Sequence, residues 1–311
     1  MFQLKGKRVW IAGHGGMVGS ALTRRLASEG CELLAVGRRQ LDLRDQSATR
    51  QWLADNRPDA IVISAATVGG ILANDSRPAE FLYDNLAIAG NIIHAAAELK
   101  VDKLMFLGAA CIYPRLASQP ISEDSLLQGA PEPTNEWYTV AKIAGVKLCQ
   151  AHRKQYGCDF ISAIPANLYG PGDHFDALTS HVIPSLLMRA DEAKKVHGKE
   201  LSIWGTGSPI REFMYVDDCA DALVFLMKTY SDAQPINIGT GEEISIGDLA
   251  REVCAVVGFS GLLTFDRTKP DGAPRKALDS SRIRKMGWQP KVALRDGLEK
   301  TYRWYLENVR A

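Results

Sequence analysis

In VWIAGHGGMVGSAL, residues 9–22, an apolar run breaks at Gly13, Gly16 and Gly19 and resumes as a helix-like segment. Glycines at G-x-x-G-x-x-G spacing let a backbone turn tightly out of a strand and approach a pyrophosphate. The helix that follows offers unpaired N–H groups and the positive end of its dipole to the same anion. A strand–turn–helix of this kind has to be built into a larger sheet, and the rhythm around it supplies one. KRVWIAG, CELLAVG, DAIVISAA, DKLMFLGAA and CDFISAIPANLYGP read as strands. GSALTRRLASEG, DQSATRQWLADN, FLYDNLAIAGNIIHAAAELK and NEWYTVAKIAGVKLCQAHRKQYG read as the helices between them. Near-continuous apolar strands alternating with helices predict an α/β fold, a parallel sheet covered on both faces.

After Pro171 the chain becomes richer in Gly, Pro, Asp and Ser, which predicts a second, smaller unit. The expected division is 1–170 for the first domain, with 213–240 returning to it, and 171–212 with 241–311 for the second. A net charge of +1 over 311 residues provides no basic field for nucleic acid, so an anionic ligand needs a local site. The six cysteines (Cys31, Cys111, Cys149, Cys158, Cys219, Cys254) form no C-x-x-C pair and have no zinc-ligand spacing. Free thiols in a reducing, cytoplasmic setting are expected. The N-terminal MFQLKGKRVWIAG reads as neither a signal peptide nor a membrane span.

The second strand ends at Gly37-Arg38-Arg39, where an acidic residue would suit the ribose hydroxyls of NAD. An arginine suits a 2′-phosphate, so NADP is expected, held by Arg38 first and Arg39 second, with Asp42 along the adenine edge. Tyr138 and Lys142, four residues apart on one predicted helix, project from the same face. An ammonium beside a phenol is expected to lower its pKa and make it an acid/base near neutrality, although the spacing alone equally fits a plain surface pair.

These stretches together resemble the extended short-chain dehydrogenase/reductases, along nearly the whole chain. The resemblance rests on AGHGGMVGSA, VGGILAN, NIIHAAAELK, CIYP, EPTNEWY, AKIAGVKLC, NLYGPGD, SHVIP, REFMYVDD and KPDGAPRK. It implies a Rossmann-type doubly wound sheet with a smaller C-terminal substrate domain, and the branch that inverts C3 and C5 of GDP-4-keto-6-deoxy-D-mannose and then reduces C4 with NADPH. It implies Tyr138 and Lys142 for the reduction, with Cys111 and His181 as the epimerisation pair. A thiol and an imidazole both change protonation near neutrality, as that chemistry requires. Around the cofactor it implies Gly13, Gly16, Met17, Val18 and Gly19 at the turn; Leu107, Gly108 and Ala109 beyond the fourth strand; and Pro165, Asn167, Leu168 and His181 near the nicotinamide. For the GDP-sugar it implies Arg189, Trp204, Arg211, Asp271 and Lys276. It further implies a homodimer built on the Tyr138 helix and the helix before it.

Two positions depart from the pattern. Members of this family usually read GSSCIYP where this chain has Gly108-Ala109-Ala110-Cys111, so the serine that would donate to the C4 oxygen is a methyl. Losing one such donor costs about a hundredfold to a thousandfold in rate. A slower enzyme, a relative for another GDP-4-keto sugar (3,6-dideoxy or heptose), a chain altered to trap a complex and a silent binding protein all fit this reading. Gly15 stands where the family commonly has an arginine for the 2′-phosphate, leaving more of that task to Arg38.

Overall fold

The computed structural model describes residues 1–176, 179–269 and 271–310, so Pro270 of KPDGAPRK and two residues of GDHFDALTSHVIP lie outside it. The first half runs β1 (Arg8–Ala12), α1 (Met17–Leu26), β2 (Glu32–Leu34), α2 (Gln46–Asn56), β3 (Ala60–Ile63), α3 (Ile71–Ser76), α4 (Pro78–Glu98), β4 (Lys103–Leu107), α5 (Glu136–Tyr156) and β5 (Phe160–Pro165). The second runs β6 (Asn167–Tyr169), α6 (Val182–Lys195), β7 (Glu200–Trp204), β8 (Ile210–Tyr215), α7 (Val216–Thr229), β9 (Ile236–Ile238), β10 (Glu243–Ser245), α8 (Ile246–Val257), β11 (Leu262–Asp266), β12 (Arg275–Lys276), α9 (Ser281–Lys285) and α10 (Leu294–Asn308).

Six strands form one parallel sheet in the order β2-β1-β3-β4-β5-β9. Its central strands are buried along their whole length, as their unbroken apolar runs require. α1 packs against α7, and α4 packs against both α2 and α5, so the helices fall into the two groups that a doubly wound sheet needs. Local signals set the helix ends: Asp45 accepts from the Ala48 N–H at 2.9 Å to start α2, and Gly157 adopts φ 71° to end α5.

One expected strand is two. CDFISAIPANLYGP leaves the large sheet after Pro165, and Asn167–Tyr169 pairs with β8 instead. β8 also joins β10 and β12 in a second sheet. Met214 of β8 belongs to the first hydrophobic core, whereas Phe213, Tyr215 and Tyr169 belong to a second core built with α6, α8 and α10. The β8 ladder joins the smaller sheet through Tyr215, while Met214 and α7 from Val216 pack into the first core. Strands β6 and β8 bridge the two cores, and a deep cleft opens between them.

Candidate active site

The cleft has a volume of about 1340 Å³, and every candidate site residue from the sequence lines it except Arg39, which is exposed on the surface. Its floor is set by the carboxyl ends of the parallel strands, where doubly wound sheets expose their loops.

At one end stands the glycine turn. Gly13 has φ 92°, and a Cβ there would meet the Ala65 backbone nitrogen at 2.6 Å; a Cβ on Gly19 would overlap the Gly13 carbonyl. Gly16 has room, but as the residue before α1 it offers no side chain to cap the helix. The first N–H groups of α1 are thus left for an external anion, and its first turn carries no acidic side chain to repel one. This geometry fits a dinucleotide pyrophosphate. Arg38 lines the same end, exposed and within electrostatic reach of Asp42. Asp42 is already engaged: Arg44 holds its carboxylate at 2.6 Å and, with smaller help from Arg38, pulls its pKa down to about 2. Arg44 also reaches the buried Asp84 at 3.1 Å. Beside Gly15 the space is open to an added side chain.

In the middle, α5 presents Tyr138 and Lys142 one turn apart. The Lys142 Nζ donates to the Leu107 carbonyl at 2.8 Å and lies 5.7 Å from the Tyr138 ring centroid. The expected lowering of the tyrosine pKa is not what the structure gives. Burial raises it, and a charge on Cys111 would raise it further; burial also drives Lys142 down to about 8. The ammonium is aimed at a carbonyl rather than at the phenol oxygen, so desolvation outweighs attraction. Cys111 sits in a helical turn, Ala110–Ile112, just past β4, and its carbonyl accepts from Thr139 Oγ1 at 3.3 Å, which ties that turn to α5. Ala109 precedes it in extended backbone and faces the cleft with a methyl. Asn167 is fixed by its amide donating to the Glu212 carbonyl at 2.8 Å.

Across the cleft, His181 begins α6. Its ring is open to the cleft, yet enough protein surrounds it that its charged form is disfavoured; burial, then the neighbouring His174, lower its pKa. At the far end burial also lowers Arg189, Arg211 and Lys276. Arg189 donates to the Ser202 carbonyl, and Arg211 to the carbonyls of Ile210 and Ala273 at 2.8 and 2.7 Å. The Trp204 ring is 62% exposed, free to receive a planar ligand, with Lys269 Nζ 5.5 Å from its centroid. Asp271 accepts from the Thr206 N–H and hydroxyl at 2.9 and 2.7 Å, which shapes the turn after Trp204.

Two carboxyl groups of the cleft escaped the reading of the sequence. Glu132 pairs with Arg115 at 3.4 Å and faces Arg211 and Lys276. Asp173 is buried, has one oxygen without a partner among the described residues and is pushed up to about 7 by burial. Both stand inside recognisable stretches, EPTNEWY and NLYGPGD, but a single carboxylate carries no periodicity that would single it out.

Residues 9–239 match the model of the NAD dependent epimerase/dehydratase family. A Sinorhizobium fredii protein named GDP-L-fucose synthase is 56% identical over 309 residues, which cover 99% of this chain and 98% of that one. An Escherichia coli K12 protein of the same name is 48% identical over 312 residues, covering 97% of each. A GDP-L-fucose synthetase from Naegleria fowleri bound to NADP superposes with a TM-score of 0.92 at 26% identity, over 100% of this chain and 97% of that one.

Proposed function

Because this chain belongs to the NAD dependent epimerase/dehydratase family, we propose that its cleft converts GDP-4-keto-6-deoxy-D-mannose to GDP-L-fucose by inverting C3 and C5 and reducing the C4 ketone. The observation that carries this reading is that a dinucleotide turn, a tyrosine–lysine pair, a cysteine, a histidine and two arginines beside an exposed tryptophan line one continuous cleft. The proteins named GDP-L-fucose synthase, about half identical along their whole length, support it.

Removal of a proton alpha to a ketone needs a base on one face and an acid on the other. Cys111 and His181 come from different sides of the cleft, on the turn past β4 and at the start of α6, and serve as that pair. Negative charge then builds on the C4 oxygen, where Tyr138 is the donor. Burial keeps its phenol protonated at neutral pH, which suits a group that must deliver a proton to an alkoxide. A nicotinamide cofactor, when bound, supplies the hydride that C4 receives. Lys142 positions its ribose, and Gly13, Gly16, Met17, Val18 and Gly19 present backbone to its pyrophosphate, with Leu107, Gly108, Pro165, Asn167 and Leu168 beside the nicotinamide. Arg189 and Arg211 take the GDP diphosphate, Trp204 stacks on guanine, and Asp271 and Lys276 complete that end.

We assign NADP over NAD on Arg38, with the open space at Gly15 weakening the preference. Gly15→Arg should raise the NADPH-to-NADH ratio of kcat/KM, and Arg38→Ala should lower it. The cofactor unit of this reading is residues 1–170 with 213–240 returning to it, and the nucleotide-sugar unit is 171–212 with 241–311. A homodimer is part of the same reading: α4 and α5 pack together and expose Tyr83, Leu86, Trp137 and Val140 on their outer faces. Among the described residues no helix is long and apolar enough to cross a membrane, and all six cysteines are free thiols.

The test follows NADPH absorbance with enzymatically generated GDP-4-keto-6-deoxy-D-mannose and reads product stereochemistry by NMR. GDP-L-fucose is the expected product. Consumption of NADPH only with a 3,6-dideoxy or heptose 4-keto sugar overturns the substrate, and tight binding without turnover of any ketone overturns the enzyme.

A further inference from the structure

The turn that carries Cys111 is built from small and apolar residues, Gly108-Ala109-Ala110-Cys111-Ile112, and no other side chain within it can pin the thiol. The sulfur itself makes no hydrogen bond among the described residues. A group that must meet a carbon-bound proton in line cannot be left loose, because a misplacement of about 1 Å costs about a hundredfold in rate. The rigidity has to come from the neighbours of the turn.

We propose that two buried hydroxyls, those of Thr139 and Tyr113, position Cys111 by clamping its turn between α5 and β9 and, on the function proposed above, hold the epimerisation thiol in line with its substrate.

On the α5 side, Thr139 is fully buried and its Oγ1 donates to the Cys111 carbonyl at 3.3 Å. Asn135 Oδ1 also lies 3.3 Å from that hydroxyl, which has one proton to give. An Asn135 amide turned with its nitrogen toward Oγ1 donates instead of accepting, and leaves the proton to the carbonyl. Thr139 follows Tyr138 in sequence, so this bond places the thiol turn and the phenol on one rigid helix.

On the β9 side, the Tyr113 hydroxyl, two residues past Cys111, donates to Asn237 Oδ1 at 2.6 Å, and both residues are buried. Asn237 is held in that orientation from three directions. Its amide nitrogen donates to the carbonyls of Ile121 and Asp279 at 2.9 and 3.2 Å, and its backbone N–H donates to Glu123 Oε1 at 3.1 Å. With the nitrogen committed to two carbonyls, the oxygen faces Tyr113, and the acceptor is fixed independently of the tyrosine.

Cys111 lines the cleft, whereas Thr139 and Tyr113 do not, so their hydroxyls serve the frame and not the ligand. A buried polar pair is often no more stabilising than apolar groups of the same shape. What a hydrogen bond adds is a fixed direction, which apolar packing alone does not impose.

The experiment compares wild type with Thr139→Val, Thr139→Ser and Tyr113→Phe. GDP-4-keto-6-deoxy-D-mannose is incubated in D2O with NADP+, which fills the cofactor site without supplying hydride, and deuterium at C3 and C5 is read by NMR. Thr139→Val and Tyr113→Phe should each lower kcat for exchange about tenfold with KM for the sugar little changed, and Thr139→Ser should restore it. In parallel, iodoacetamide labelling mapped by peptide mass spectrometry reads the thiol directly. Cys111 should label faster in Thr139→Val and Tyr113→Phe, while the buried Cys149 and Cys219 keep their wild-type rates. Wild-type exchange by Thr139→Val overturns the proposal, as does a loss that Thr139→Ser fails to restore or a rise in labelling shared by all three cysteines. If Tyr113→Phe fails to fold, the two Thr139 variants still decide. Wild type that exchanges neither carbon overturns the epimerase reading itself, and faster Cys111 labelling in Thr139→Val would then still uphold the clamp, so the two failures are distinct.

Discussion

On the function proposed above, Ala109 is the residue expected to limit the rate of reduction. Its backbone is extended and its methyl faces the cleft beside Cys111, so a serine fits without strain and points a hydroxyl at the same place. Ala109→Ser should raise the rate of NADPH oxidation by up to about a hundredfold, with KM for the sugar little changed, because the new donor acts where charge develops. Single-turnover kinetics check the split. Asp173 makes a prediction of the opposite kind. Burial raises its pKa from an ordinary aspartate value to about 7, so the unfolded chain loses this proton at lower pH than the folded one. Stability falls as pH rises between about 4 and 7, and the loss persists above. Asp173→Asn should therefore raise the melting temperature of the cofactor-free protein at pH 8 and leave it nearly unchanged at pH 4. The sequence revealed neither carboxyl, Asp173 nor Glu132, for the same reason that it misjudged the sign of the Tyr138 shift. Desolvation depends on what surrounds a group in space, and four-residue spacing says only that Tyr138 and Lys142 share a face.

Among the elements, the turn between β1 and α1 separates two uses of glycine. Gly19 is required for packing, since a Cβ would overlap the Gly13 carbonyl, while Gly16 has free space around its α-carbon. Gly19→Ala should lower the melting temperature even without cofactor. Gly16→Ala should fold normally and weaken cofactor binding, because its methyl enters the space where the pyrophosphate approaches. Thermal melts with and without NADPH distinguish the two. The parallel strands and their helices were legible because buried strands and amphipathic helices differ in period. The break between β5 and β6 was not, because PANLY continues the strand-like run while the backbone changes partners from β4 and β9 to β8. Hydrophobicity records that a segment is covered, not which sheet covers it.

The molecule as a whole is expected to pair through the exposed faces of α4 and α5. Trp137 and Val140 are 45% and 42% exposed, large apolar groups whose burial against a second copy would stabilise association. Trp137→Arg should yield a monomer by analytical ultracentrifugation, with activity reduced because Tyr138 sits on the same helix. The interleaving of the two cores bears on how the protein is made. β9, the edge strand beside β5, follows in sequence the α6, β7 and β8 segments that belong to the other core. A nascent chain leaving the ribosome therefore cannot close the large sheet until much of the smaller unit has emerged, and that unit in turn waits for α10. Neither half is a finished object at any point of synthesis, so cutting the gene at the cleft should give two fragments that aggregate apart, and no viable enzyme from either alone.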